Sequence, residues 1–147
     1  MNTEVEILLV EDNMSDAELT IRALRKSNLA NNLIHLRDGA EALEFIFATG
    51  AYDRRDINTK PKVILLDLKM PLVNGIEVLK ELKSDDRTKN IPVVVLTSSK
   101  EDPDISICYE LGANAYVVKP VGFENFSKVV AELGLFWVLV NKVPYKE

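Results

Sequence analysis

The 147-residue chain is 47% hydrophobic and 28% charged, which suits one domain with a core of its own and leaves no room for a second. A net charge of −5 with both signs interspersed argues against a nucleic-acid or anionic-membrane surface, either of which needs clustered Lys and Arg. A single cysteine, Cys108, excludes an internal disulfide framework, no basic N-terminal stretch precedes a long apolar run, and no apolar stretch approaches the roughly 20 residues of a bilayer span. A soluble protein of the reducing cytoplasm is expected.

Glu6 to Val10 (EILLV) is a branched apolar run that stops at Glu11-Asp12, as a buried parallel strand ending in a loop does. From Ser15 to Lys26, Ala17, Leu19, Ile21 and Leu24 sit among charges, and the Ser15-to-Glu18 spacing resembles a capping box. Leu33 to Leu36 reads as a second strand, and Gly39 opens a helix with Ala42, Leu43, Ile46 and Phe47 on one face. The polar stretch from Gly50 to Lys62 reads as a surface insertion. Val63 to Asp67 (VILLD) is again an apolar strand ending on an acid, Met70-Pro71 breaks the chain, and a helix follows from about Gly75 to Ser84. Ile91 to Leu96 forms a fourth strand that ends at Thr97-Ser98-Ser99. Asp102-Pro103 starts a helix and Gly112 stops it. Ala115 to Val118 is the fifth strand, ending at Lys119-Pro120, and a last helix runs from about Phe123 towards Val140.

Five strand-helix alternations with short connections imply an α/β fold, an open doubly wound parallel sheet with helices on both faces. Ligands of such sheets bind beyond the carboxyl ends of the strands where the strand order reverses, which for the order 2-1-3-4-5 lies between strands one and three. Asp12 and Asp67 follow those two strands. With Glu11 they form a cluster of carboxylates that repel one another unless a cation or protons neutralise them. Mg²⁺ is the natural remedy, since it prefers oxygen ligands and needs only one or two carboxylates beside water and phosphate oxygens. Strand four delivers the Thr97 hydroxyl to the same edge and strand five the Lys119 ammonium. Those are the parts of a phosphoryl-transfer site: Asp67 as nucleophile, a metal and Lys119 to neutralise phosphoryl oxygens, and Thr97 to bind one after transfer.

LLVEDN, LLDLKMP with NG following, VVLTSS and GANAYVVKP resemble the four motif blocks of the CheY-like response-regulator receiver family, and they span nearly the whole chain. The resemblance implies the flavodoxin-like strand order 2-1-3-4-5. It makes Glu11 and Asp12 the acidic metal pair, Asp67 the phosphorylated aspartate and Lys69 the residue whose backbone carbonyl ligates Mg²⁺. It likewise makes Thr97 the switch hydroxyl, Tyr116 the switch aromatic and Lys119 the active-site lysine, and implies a cis Lys119-Pro120 bond. More narrowly, the insertion at about 50–62 and the C-terminal extension at about 139–147 resemble single-domain regulators associated with bacterial phytochrome kinases. The expected partner is then a sensor histidine kinase, phytochrome-like in the narrower reading. With no DNA-binding or enzymatic effector following residues 1–147, output would be by protein contact or onward phosphotransfer.

Competing readings make distinct demands on the sequence. A haloacid-dehalogenase-type phosphatase needs Asp-x-Asp at the nucleophile, but Lys69 stands where its general acid would be. A flavodoxin-like cofactor binder needs a phosphate-cradling Gly-rich loop after strand one, and LLVEDN is acidic there. A degenerate receiver acting only as an interaction module would lack one of Asp12, Asp67, Thr97 or Lys119. His35, in the second strand and away from the carboxyl edge, is expected to be structural or exposed, and Cys108 to be inert in its helix. Leu133 to Val140 (LGLFWVLV) is apolar on too many sides for one buried face. Phe136 and Trp137 are its expected interface anchors, in a homodimer built on this helix or on the face of the fourth helix, fifth strand and last helix, roughly Pro103 to Val140.

Overall fold

The computed structural model describes residues 5–145. Its elements are β1 (Ile7–Val10), α1 (Met14–Lys26), β2 (Leu33–Leu36), α2 (Gly39–Phe47), β3 (Val63–Leu66), α3 (Gly75–Ser84), β4 (Val93–Thr97), α4 (Asp102–Glu110), β5 (Ala115–Val118) and α5 (Phe123–Gly134). The strands form one parallel sheet in the order β2-β1-β3-β4-β5, the doubly wound architecture expected from the alternation.

The continuous apolar strands follow from burial on both faces. Leu8, Val10, Ile64, Leu66, Val93 and Val95 meet Ala42, Phe45 and Ile46 of α2, Val78, Leu79 and Leu82 of α3, and Cys108 of α4. Their sequence neighbours Ile7, Leu9, Val63, Leu65, Val94 and Leu96 point the other way, onto Ala17 and Leu24 of α1 and Phe126 and Val130 of α5. This period-two division forces the two helical layers to opposite sides. At about 1.5–3 kcal/mol per fully buried aliphatic side chain, the central strands β1, β3 and β4 carry much of the stabilisation.

Several boundaries differ from the expectation, each for a local reason. The cap of α1 is Asn13, whose side chain accepts from the Asp16 N–H, so the Ser15-to-Glu18 spacing does not cap the helix. The Thr20 hydroxyl, one turn further on, donates instead to the Asp16 carbonyl. Strand β4 begins at Val93 rather than Ile91, because the Ile91 N–H is taken by Thr88 and Pro92 has no N–H to give. The Lys119-Pro120 bond is trans, the form favoured by about 0.5–1 kcal/mol before proline. The insertion at 50–62 is a docked surface segment: Tyr52 packs edge-on against Phe45 with ring centroids 5.1 Å apart and donates to Glu41, while the Arg55 guanidinium lies 3.7 Å over the Phe45 ring.

The last helix keeps α-geometry only to Gly134, then opens into a π-helical turn over Leu135–Val140 that closes with the Asn141 N–H donating to the Phe136 carbonyl at 2.7 Å. Val138 is buried in the α1/α5 layer and Trp137 packs against it, so this end folds back over the core. Leu135, Phe136, Leu139 and Val140 remain exposed. Of the expected extension at 139–147, residues 146 and 147 lie outside the described residues.

Candidate functional site

The sheet brings the motif residues together by register alone. Val10 is level with both Leu36 and Leu66, so the residues that follow, Glu11 and Asp67, emerge side by side from β1 and β3. Backbone bonds hold them at the edge: the Glu11 N–H donates to the Leu36 carbonyl at 3.0 Å and the Asp67 N–H to the Val10 carbonyl at 3.1 Å. Two strands over, Thr97 pairs with Val118, and the Lys119 N–H donates to the Thr97 carbonyl at 2.7 Å. His35 is structural but lies closer to this edge than expected: it pairs with Leu9, and its ring Nε2–H donates to the Glu11 carbonyl at 2.8 Å.

Adjacent in sequence, Glu11 and Asp12 have opposite fates. Glu11 is buried and Asp12 exposed, while Asp67 is buried at 7% exposure. Carboxylate oxygens of the three all lie within 4.8 Å of one another. Lys119 is the cation among them. Its Nζ donates to Glu11 Oε1 at 2.7 Å and to Asp16 Oδ2 at 2.8 Å, and lies 3.5 Å from Asp67 Oδ2. The other Asp67 oxygen accepts from the Leu68 N–H at 2.8 Å. Asp16 escaped the sequence reading altogether, because an acid in the first turn of a helix looks like ordinary dipole compensation.

Electrostatics follow from this crowding. Burial, with the Asp67 charge adding to it, pushes Glu11 up to about 7 despite its hydrogen bond from Lys119. Burial acts to lower Lys119, but its hydrogen bonds to Asp16 and Glu11 outweigh that and lift it to about 12, so it is a fixed positive charge at neutral pH. One ammonium thus meets three carboxylates, Glu11, Asp16 and Asp67, with Asp12 beside them in the acidic cluster. An excess of hard oxygen donors around a buried edge is what a small divalent cation neutralises, so the residues present fit such an ion. A cleft of about 530 Å³ opens beside the cluster, lined by Asp12, Leu68, Lys69, Met70, Pro71, Asn74, Ile76 and Asp104.

Beyond the cluster, Thr97 is fully buried at the end of β4, and the Ser99 N–H approaches its Oγ1 at 3.5 Å. The Ser99 hydroxyl donates to Asp104 at 2.6 Å, and the Tyr116 hydroxyl donates to the Ser99 carbonyl at 3.0 Å. Tyr116 therefore touches the β4–α4 loop rather than the acids. Cys108 is buried, and burial raises its thiol to about 11, as befits an inert core residue. Phe136 and Trp137 lie far from this edge, on a turn whose Val138 carbonyl faces Lys62, at the start of β3. They form an edge-on pair with centroids 5.0 Å apart, with Trp137 turned to the core and Phe136 half exposed.

Residues 7–131 match the response regulator receiver domain. The chain belongs to that family. The receiver is 39% identical over 138 residues to response regulator Rcp1 of Synechocystis sp., covering 94% of this chain and 92% of Rcp1. In structure it superimposes on the phosphorylated cyanobacterial phytochrome response regulator RcpA with a TM-score of 0.89 and 37% identity, covering 97% of this chain and 99% of RcpA. It also resembles the bacteriophytochrome response regulator AtBRR, with 52% identity, a TM-score of 0.73, and coverage of 95% of this chain and 99% of that one. Rcp1 has been crystallised in a Mn²⁺-bound form, to which this receiver is similar with a TM-score of 0.88 and 38% identity over 96% of this chain and 99% of that one. These likenesses place it among response regulators of two-component signalling, with phytochrome response regulators as near relatives. Among the described residues no helix is long and apolar enough to cross a membrane.

Proposed function

We propose that this receiver takes a phosphoryl group onto Asp67 from a histidine of a sensor kinase of the phytochrome type, in a Mg²⁺-dependent reaction. The observation that carries the reading is the convergence on one sheet edge of a buried carboxylate, an acidic cluster with oxygens within 4.8 Å, and a lysine 3.5 Å from that carboxylate. An Asp67 oxygen attacks phosphorus, the P–O bond forms as the P–N bond of the phosphohistidine breaks, and the imidazole keeps the electron pair and regains a proton. Lys119 holds a developing phosphoryl oxygen, and the Leu68 N–H, already on Asp67 Oδ1 at 2.8 Å, keeps the carboxylate from rotating. Glu11, Asp12, Asp67 and the Lys69 backbone carbonyl would hold Mg²⁺, which would supply charge neutralisation for the phosphoryl oxygens.

After transfer, the Thr97 hydroxyl turns to the phosphoryl group and Tyr116 exchanges its Ser99 contact for a second position. These moves bias two states of the α4-β5-α5 face. The protein acts as a receiver that promotes its own phosphorylation and dephosphorylation, signals by protein contact or onward transfer in the cytoplasm, and needs no nucleic acid or membrane. A second copy of the chain covers the exposed Leu135, Phe136, Leu139 and Val140, giving a homodimer. The test is incubation with a phosphorylated phytochrome-type kinase: loss of label from the kinase histidine and gain of one base-labile phosphoryl group, absent in Asp67→Asn, supports the reading. A wild-type protein that takes no label, or an Asp67→Asn variant that takes as much, overturns it.

A further inference from the structure

Asp16 is the carboxylate on Lys119 that stands outside the acidic cluster, and none of the motif blocks contains it. Its place is set by α1: Asn13 accepts from the Asp16 N–H at 3.0 Å, fixing the first turn just past β1, and from there the Asp16 side chain reaches Lys119 at 2.8 Å. An ammonium has three N–H donors on a flexible four-carbon stem. Glu11 takes one at 2.7 Å and Asp16 a second, while Asp67 Oδ2 at 3.5 Å is left for the third. Glu11 also belongs to the cluster that would hold a dication, so its grip on Lys119 is shared. Asp16 has no such second duty.

We propose that Asp16 is a positioning residue: with Glu11 it pins two donors of Lys119 so that the third is aimed at the phosphoryl-accepting end of Asp67. The role rests on the phosphoryl transfer proposed above and adds the residue that orients its lysine. A purely competitive role, in which Asp16 holds Lys119 away from the phosphoryl group, has the opposite sign, because removing a competitor speeds uptake and lengthens the life of the adduct.

The experiment follows uptake from acetyl phosphate with Mg²⁺ by intact mass in the wild type, Asp16→Ala, Asp16→Asn, Lys119→Met and the double variant Asp16→Ala/Lys119→Met. Losing one partly exposed charge-assisted hydrogen bond slows uptake at saturating donor by about three- to tenfold in Asp16→Ala. Asp16→Asn, which keeps an acceptor oxygen, recovers part of that, and in the Lys119→Met background the loss of Asp16 changes the rate by less than about twofold. In metal-free protein, NMR shows faster proton exchange of the Lys119 ammonium in Asp16→Ala with the backbone amide spectrum otherwise retained. Uptake by Asp16→Ala as fast as wild type or faster, or an unchanged Asp16 effect without Lys119, overturns the aiming role alone. Lack of uptake by the wild type overturns the phosphoryl reading and the aiming role together.

Discussion

Gly75, the first residue of α3, braces the Asp67 loop without chemistry of its own, so its replacement isolates geometry from reactivity. Its N–H donates to the Leu68 carbonyl at 2.8 Å. A Cβ there would lie 2.2 Å from the Asp67 carbonyl oxygen and 2.7 Å from Leu68 Cα. Both atoms are backbone, so no side-chain rotation relieves the overlap. Carbon–oxygen contacts in proteins settle at about 3.3 Å or more, so Asp67-Leu68 must retreat by about 1 Å. Helix propensity pulls the other way, since alanine in place of glycine favours a helix by about 1 kcal/mol. Overpacking of a well-packed region costs about 1–3 kcal/mol, and against a backbone the upper part of that range applies. The net expectation for Gly75→Ala is a loss of about 1–2 kcal/mol, a fall in Tm of about 3–6 °C for a domain of this size. The functional effect is larger, because a displacement of about 1 Å at a reacting group costs about 100-fold in rate. Thermal melts by circular dichroism and adduct formation by intact mass measure the two. A Gly75→Ala protein that melts with the wild type and phosphorylates at its rate would refute the bracing argument.

Three further outcomes follow. Because Glu11 sits at about 7 in the folded metal-free protein against an ordinary 4.5, the native state binds the extra proton. Its contribution to stability is full below pH 4.5 and is lost as pH rises through 7, by about 3 kcal/mol at most. Lys119, raised from 10.5 to about 12, titrates outside that window. Urea midpoints at pH 5 and 8 should therefore fall in the wild type and fall less in Glu11→Gln; equal falls would contradict the buried-acid argument. If the π-helical turn is part of the core, Val138→Ala costs about 1–2.5 kcal/mol while Val121→Ala, at 88% exposure and outside the proposed dimer patch, stays within about 0.5, measured by urea denaturation. Light scattering should show the dimer dissociating in Phe136→Ser, and a wild type that is monomeric at all concentrations would remove the second copy from the account.

Much of the site was legible because strand periodicity and strand ends are local properties. Runs such as VILLD and VVVLT state both that a strand is buried on two faces and where its chemistry emerges, so Asp67, Thr97 and Lys119 could be placed on one edge before any contact was seen. What stayed hidden depends on packing between distant elements. Asp16 meets Lys119 only because α1 begins near the point where β5 ends. The unequal burial of Glu11 and Asp12 is decided by which carboxylate faces the sheet edge once His35 and Lys119 have closed around Glu11. Gly134 ends the α-geometry of the last helix where a Cβ would lie 2.5 Å from Leu24, a constraint that the run LGLFWVLV does not reveal.

The central claim is that Asp67, and no other carboxylate of the cluster, carries the phosphoryl group. Borohydride reduction of the phosphorylated protein, followed by peptide mass spectrometry, converts an aspartyl phosphate to homoserine, and a glutamyl phosphate to the alcohol one carbon longer, and so reads the position directly. The expected result is a single homoserine at position 67, formed only when donor and Mg²⁺ are both present. Homoserine at position 12 or 16, or none in a protein that has taken up phosphoryl, would contradict it.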